Sequence, residues 1–231
     1  MKKLMLLFAL LSVSTFSWAD TDATLDRLQN AADVMHQIMA APDKGIPQEV
    51  LDNAKCVAVV PHMVKGGFIF GAEGGRGVAT CRTATGWSAP VFFAITGGSW
   101  GLQIGVEGVD LVMIVQNDKG IQQLLQSKFQ LGADASAAAG PVGRHASANT
   151  DWKMNAEILT YSRAKGIFAG LDLSGSAVRR DDDSMKIIYG PGVSTRAVLH
   201  GEVPPTPQAK PFLDAVSGAK AQADVKEADS K

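Results

Sequence analysis

VFFAITGGSWGLQIGVEGVDLVMIV, residues 91–115, contains the literal pattern Gly97-Gly98-Ser99-Trp100-Gly101. G-x-S-x-G is the pattern of a nucleophile elbow, a strained strand-to-helix turn that presents a catalytic serine. VFFAIT supplies the strand. The residues after Trp100 alternate and carry Gly101, Gly105 and Gly108, and glycine at that density disfavours helix and suits a strand or turn. The stretch reads as strand, turn, strand. A triad can be drawn from Ser99, Asp172 and His200, but His200 sits in a helix-like run beside a Pro-rich linker. Serine hydrolysis through Ser99 is therefore the lesser alternative, and no catalytic residue is assigned.

The same texture extends outward. CVAVVP (56–61), GGFIFGAE (66–73), GVATCRTA (77–84) and APVFFAIT (89–96) are short, apolar and rich in Val, Ile and Phe. Gly, Pro or polar residues separate them, as expected for closely spaced antiparallel strands. Gly74-Gly75-Arg76-Gly77 reads as a hairpin turn between two of these strands. Downstream, DKGIQQLLQSK (118–128) reads as a short helix, and FQLGADASAAAGPV (129–142) as extended chain closely approached by other backbone. EILTYSR, GIFAGLDLS and SAVRRD add strands. Asp181-Asp182-Asp183 caps a turn or short helix ending at Tyr189-Gly190. TRAVLHG and QAKPFLDAVSG are C-terminal helices joined through VPPTP. Strands followed by segregated helices predict an α+β fold: an antiparallel sheet core, sandwich- or barrel-like, with flanking N- and C-terminal helices.

The N-terminus MKKLMLLFALLSVSTFSWAD has a basic start, an apolar run and small residues before Ala19. It reads as a secretory signal peptide cleaved after Ala19, so a periplasmic or secreted location is expected. Residues 22–40 place Leu25, Leu28, Ala32, Met35 and Met39 three and four apart, one face of an amphipathic helix. Thr21 or Asp22 could cap it. Its polar face carries Asp22, Asp26 and Asp33 against Arg27 alone, which favours packing on the domain over contact with anionic lipid. The expected organisation is signal peptide 1–19, N-terminal helical segment 20–52, main domain 53–190, C-terminal helices 191–218 and a disordered tail 219–231.

The chain has 22 Lys and Arg against 23 Asp and Glu, a balance that does not suit nucleic-acid binding. The two cysteines, Cys56 and Cys81, are expected to pair in an exported chain. Closing a loop of that length stabilises a fold by about 3 kcal/mol in the chain-entropy view. A buried free pair or half a metal site is the alternative, but no Cys or His stands at ligand spacing. His36, His62, His145 and His200 form no metal pattern either. No metal or other cofactor is expected. Lys65, Arg82, Arg144 and Lys165 each border a Gly-containing segment: VKGGF, CRTATG, GPVGRH and RAKGIF. Basic side chains beside open backbone N–H groups are a way to hold phosphate; four ordinary surface cations are the plain alternative.

Seven blocks in order resemble the SYLF domain family, also called DUF500. They are AKCVAVVP (54–61), KGGFIFGAEGGRGVATCR (65–82), GWSAPVFF (86–93), GGSWGLQIGVEGVDLVMIV (97–115), LGADASAAAGPVGR (131–144), YSRAKGIFAG (161–170) and YG (189–190). The resemblance implies a non-enzymatic protein that binds membranes. In some eukaryotic members it implies phosphoinositides or actin filaments, and in bacterial ones an exported envelope protein. It raises Lys65, Arg82, Arg144 and Lys165 as lipid- or anion-binding candidates, with Phe68, Phe70 and Phe168 as apolar lipid contacts. The acidic N-terminal helix departs from the basic lipid-binding region of eukaryotic members, so those finer specificities are not carried over. The expected function is phospholipid binding at the bacterial cell envelope, with a protein-interaction module of the envelope as the alternative.

Overall fold

A computed structural model describes residues 16–40, 45–67, 70–100, 105–141, 156–164, 167–171 and 173–218. Helix α1 (Phe16–Ala40) and the short α2 (Gln48–Asn53) lead into β1 (Cys56–Gly67), β2 (Phe70–Thr83), β3 (Gly86–Trp87), β4 (Val91–Trp100) and β5 (Gly105–Val115). Helix α3 (Asp118–Leu124) precedes β6 (Lys128–Gln130), β7 (Ala137–Ala139), β8 (Ile158–Ala164), β9 (Ile167–Gly170) and β10 (Ala177–Arg180). Helices α4 (Asp182–Tyr189) and α5 (Thr195–Leu199), a 3-10 turn (Pro207–Ala209) and a helix over 210–218 close the described chain.

The strands form one curled, half-barrel sheet in the order β6-β10-β4-β2-β1-β5-β8-β7, with β3 on β2 and β9 on β8. Pairing is antiparallel except between β7 and β8, which run parallel. The expected α+β class with flanking helices is what forms. The strand count along 56–83 differs from the expectation: two long strands stand where three short ones were predicted. Gly74-Gly75-Arg76-Gly77 lies inside β2, not at a turn. Its glycines serve close approach. A Cβ on Gly77 would stand 2.5 Å from the Phe93 ring and 2.6 Å from the Val59 carbonyl oxygen, and one on Gly75 2.6 Å from Val60.

That approach follows from a bulge in β1. The register with β2 slips between Val59 and Val64, and with β5 between Val60 and Met63. Pro61 sits in the slipped segment of this central strand. Proline has no N–H for the ladder, so inside a sheet it is confined to edges and bulges. His62 follows with φ 53°, a left-handed backbone that histidine tolerates better than most residues.

Helix α1 packs on the sheet through Leu28, Ala31, Ala32, Met35 and Ile38, all at most 1% exposed. Leu25 is half-buried. The described helix already runs from Phe16, so Thr21 and Asp22 lie within it and do not cap it; nothing in FSWAD breaks a helix. The anchor is polar. Arg27 Nη1 donates to Asp181 Oδ2 at 3.0 Å, and the guanidinium lies 5.5 Å from the Phe92 ring centroid. Asp181 also caps α4, accepting from the Ser184 N–H and hydroxyl. Burial lowers the Arg27 pKa, with Asp181 opposing. Burial raises Asp181, but the hydrogen bonds from Ser184 and the Arg27 charge outweigh it and leave the carboxyl below its ordinary value.

Cys56 and Cys81 are directly opposed in the β1–β2 register and form a disulfide, both at most 2% exposed. Among the described residues, no helix is long and apolar enough to cross a membrane.

Candidate functional site

Three strand connections leave the same end of the sheet. They join β1 to β2, β4 to β5 and β8 to β9. Register fixes this: Gly67 pairs with Gly71 and Gly105, Phe70 with Trp100, and Ala164 with Ile167. Residues opposed across antiparallel strands share a face, and residues two apart along a strand share it too. The end therefore has an outer and an inner face. Phe70, Trp100, Val64 and Asp110 belong by register to the outer face, the face on which Arg27 of helix α1 stacks over Phe92. Lys65 and Glu73 belong to the inner one.

On the inner face, Lys65 Nζ lies 3.0 Å from Glu73 Oε2, with side-chain exposures of 16% and 6%. Ser176 donates to the other oxygen of Glu73. Gly97 makes the room: a Cβ there would stand 2.5 Å from the Ser176 hydroxyl and 2.8 Å from Glu73 Oε1. Glu107 is the Lys65 partner on β5. Lys65 is thus held by a carboxylate that also closes the Ser176 contact.

Arg82 lies at the opposite end of the sheet. Its Nε donates to the Ala54 carbonyl at 3.1 Å and its Nη2 to the Leu51 carbonyl at 3.3 Å. Those carbonyls end α2, where orphan acceptors and the negative end of the helix dipole favour a cation. The guanidinium stacks 4.5 Å from the Trp87 ring centroid. It lines a polar cleft of about 400 Å³ with Asp52, Asn53, Lys55, Gln116 and Asn117. The structure does not bring Lys65 and Arg82 together. Arg144, Lys165 and Phe68 lie outside the described residues. Phe70 and Phe168 are placed by register alone: Phe70 opposite Trp100, Phe168 opposite Arg163.

Ser99 lies in β4 opposite Gly71, and β5 is the next described element. Ser99 is thus paired within a strand and does not itself stand at a strand-to-helix turn. His200 is the C-cap of α5, and Asp172 lies outside the described residues.

A cluster at the β1 bulge is absent from the residues that the sequence singles out. Asp110, 7% exposed, accepts the His62 N–H at 3.0 Å on Oδ1. Its Oδ2 takes Arg163 Nη2 at 2.7 Å and Nε at 3.3 Å. The His62 ring is 77% exposed, with Nδ1 3.6 Å from Asp110 Oδ1. Asp110 thereby satisfies the N–H that the bulge takes from the ladder. Proline inside an otherwise strand-like run is the signal that could have found it. Asp110→Ala would strand that N–H and a partly buried guanidinium, so a loss of about 2 kcal/mol in denaturant unfolding is expected. Asp110→Asn, which keeps an acceptor, should lose less.

Residues 96–219 match the family model described as Ysc84: Las17-binding protein actin regulator. The rat SH3 domain-containing YSC84-like protein 1 is 34% identical over 175 residues, 75% of this chain and 51% of the relative. The human protein of that name is 33% identical over the same span. Protein YSC84 of Saccharomyces cerevisiae is 34% identical over 182 residues, 77% of this chain and 38% of the relative. The chain spans about half or less of the length of these relatives. The chain belongs to the Ysc84 (SYLF-domain) family.

Proposed function

We propose that the protein is a non-enzymatic phospholipid-binding protein of the bacterial cell envelope. One observation carries the reading: the sheet gathers three strand connections at one end and sets Phe70 opposite Trp100 there. Aromatic side chains suit the boundary between headgroups and acyl chains. Phe68 and Lys165 fall in those connections by sequence, and Phe168 starts just beyond one. The leader-like N-terminus and the Cys56–Cys81 disulfide support export to an oxidising compartment.

Flotation of the chain from Asp20 onward with vesicles of phosphatidylglycerol and phosphatidylethanolamine tests this. Co-flotation that weakens as salt rises is expected. No flotation with these or with neutral vesicles at low salt would end the reading. A protein partner is the second reading, because the matched family is described by Las17 binding and actin regulation. That reading expects a partner captured by the chain in the absence of any vesicle.

A further inference from the structure

The β6-β10-β4-β2 side of the sheet carries a row that none of the sequence candidates includes. Lys128 pairs in register with Arg179, Arg179 with Ala94, and Ala94 with Arg76. The four share one face on four adjacent strands. Lys128, Arg179 and Arg76 are all exposed, and Ala94 is half-buried. Among the described residues, no carboxylate pairs with any of the three cations. At a strand spacing of about 4.8 Å the row spans roughly 14 Å. Arg76 stands opposite the β1 bulge that carries His62.

The row lies on the outer face, at the border of the part that α1 covers. Arg76 is close enough to Arg27 that its charge helps lower the Arg27 pKa. Like charges gathered without counter-charges cost free energy unless an anion meets them. Two residues toward the strand-connection end, the next row on this face is Gln130, Ala177, Thr96, Gly74 and Val64. It carries no charge. Val64 is 51% exposed, the large apolar side chain that the described residues leave in solvent. It stands between Gly74 and Gly108, which cannot shield it. Phe70 and Trp100 close the same face at its far end, roughly 20 Å from the cation row by strand rise.

We infer that Lys128, Arg179 and Arg76 form a phosphate-binding strip that receives the headgroups of an anionic phospholipid bilayer, with the Val64 part of the same face turned toward the acyl chains. This deepens the phospholipid reading and rests on it. The charge pattern chooses the occupant: a row of cations with no carboxylate partner among the described residues, beside an uncharged row that exposes Val64, matches an anionic interface. Lys65, on the inner face and held by Glu73, takes no part.

Flotation with vesicles of phosphatidylglycerol and phosphatidylethanolamine, at fixed low salt, tests the strip. Each basic residue near an anionic leaflet contributes about fivefold in partitioning, so Lys128→Ala/Arg179→Ala/Arg76→Ala should bind about 100-fold more weakly than the unmodified chain. Ala94→Glu leaves all three cations in place but sets a carboxylate between the two arginines, and should also weaken binding clearly. Lys210→Ala, which removes a cation paired with Asp214 on the C-terminal helix, should bind as the unmodified chain does. Unchanged thermal unfolding separates loss of the strip from loss of the fold. If the unmodified chain floats and both the triple variant and Ala94→Glu float equally well, the strip is overturned and the phospholipid reading stands. If the unmodified chain fails to float, the phospholipid reading falls and the strip falls with it.

Discussion

Arg27→Ala is expected to destabilise the protein by about 3–5 kcal/mol, because it leaves a largely buried carboxylate without its cation. The Arg27 and Asp181 side chains are 6% and 10% exposed and join the N-terminal helix to the start of α4. Urea unfolding of the variant measures the loss. Asp181 keeps its Ser184 contacts, which favours the lower half of the range. Removing both charges, as Arg27→Met with Asp181→Ser, should cost less than the sum of the single changes, since neither leaves an unpaired charge. The same pair gives the fold an acid limit. The folded Asp181 carboxyl lies below its ordinary value, so its contribution is complete above the unfolded value, about 3.9, and is lost as pH falls through the folded one. In Asp181→Asn the fall in stability below about pH 4 should be shallower. A single-variant loss under 1 kcal/mol would show that the pair does not anchor α1.

Local pattern made the helix and strand content readable. Leu28, Ala32, Met35 and Met39 recur at helical spacing because one stripe of α1 is buried, and that stripe faces the sheet. GVEGVDLVMIV (105–115) is glycine-containing yet strand-like, and β5 runs there; that texture is what set aside the elbow reading of Ser99. Turn chemistry misled at Gly74-Gly75-Arg76-Gly77. Glycine marks both turns and close backbone approach, and only the bulged partner strand distinguishes them. The site was less legible than the fold because it depends on register. Lys65 reads in the sequence as an anion-binding candidate or an ordinary surface cation, and only the register with β2 shows Glu73 beside it. Arg82 borders a Gly-containing segment, yet its guanidinium is committed to carbonyls at the end of α2. Lys128, Arg179 and Arg76 come from three separated segments. No motif links them, and a shift of one residue in either pairing would send one of them to the other face.

Removing the disulfide, as Cys56→Ala/Cys81→Ala, is expected to cost about 3 kcal/mol, the loop-closure entropy returned to the unfolded chain. The bond joins residues that the β1–β2 ladder already holds opposite one another, 25 apart in sequence. The native register has independent support. Lys55 N–H donates to Val115 O and Arg82 N–H to Lys55 O, each at 2.7 Å, and Arg82 locks onto α2. The variant should therefore keep the same sheet and lose stability through its unfolded state, with both alanines filling sites at most 2% exposed. Urea unfolding of oxidised, reduced and double-alanine protein measures this. Reduced and double-alanine proteins should lose stability by similar amounts, the alanines slightly more for the sulfur volume they vacate. An unchanged midpoint on reduction would mean that the unfolded chain gains no freedom when the loop opens. The cation strip gives a second readout from the same samples. Its register runs through β2, β4, β10 and β6 and does not pass through the disulfide, so vesicle binding should survive reduction at temperatures where the sheet stays folded.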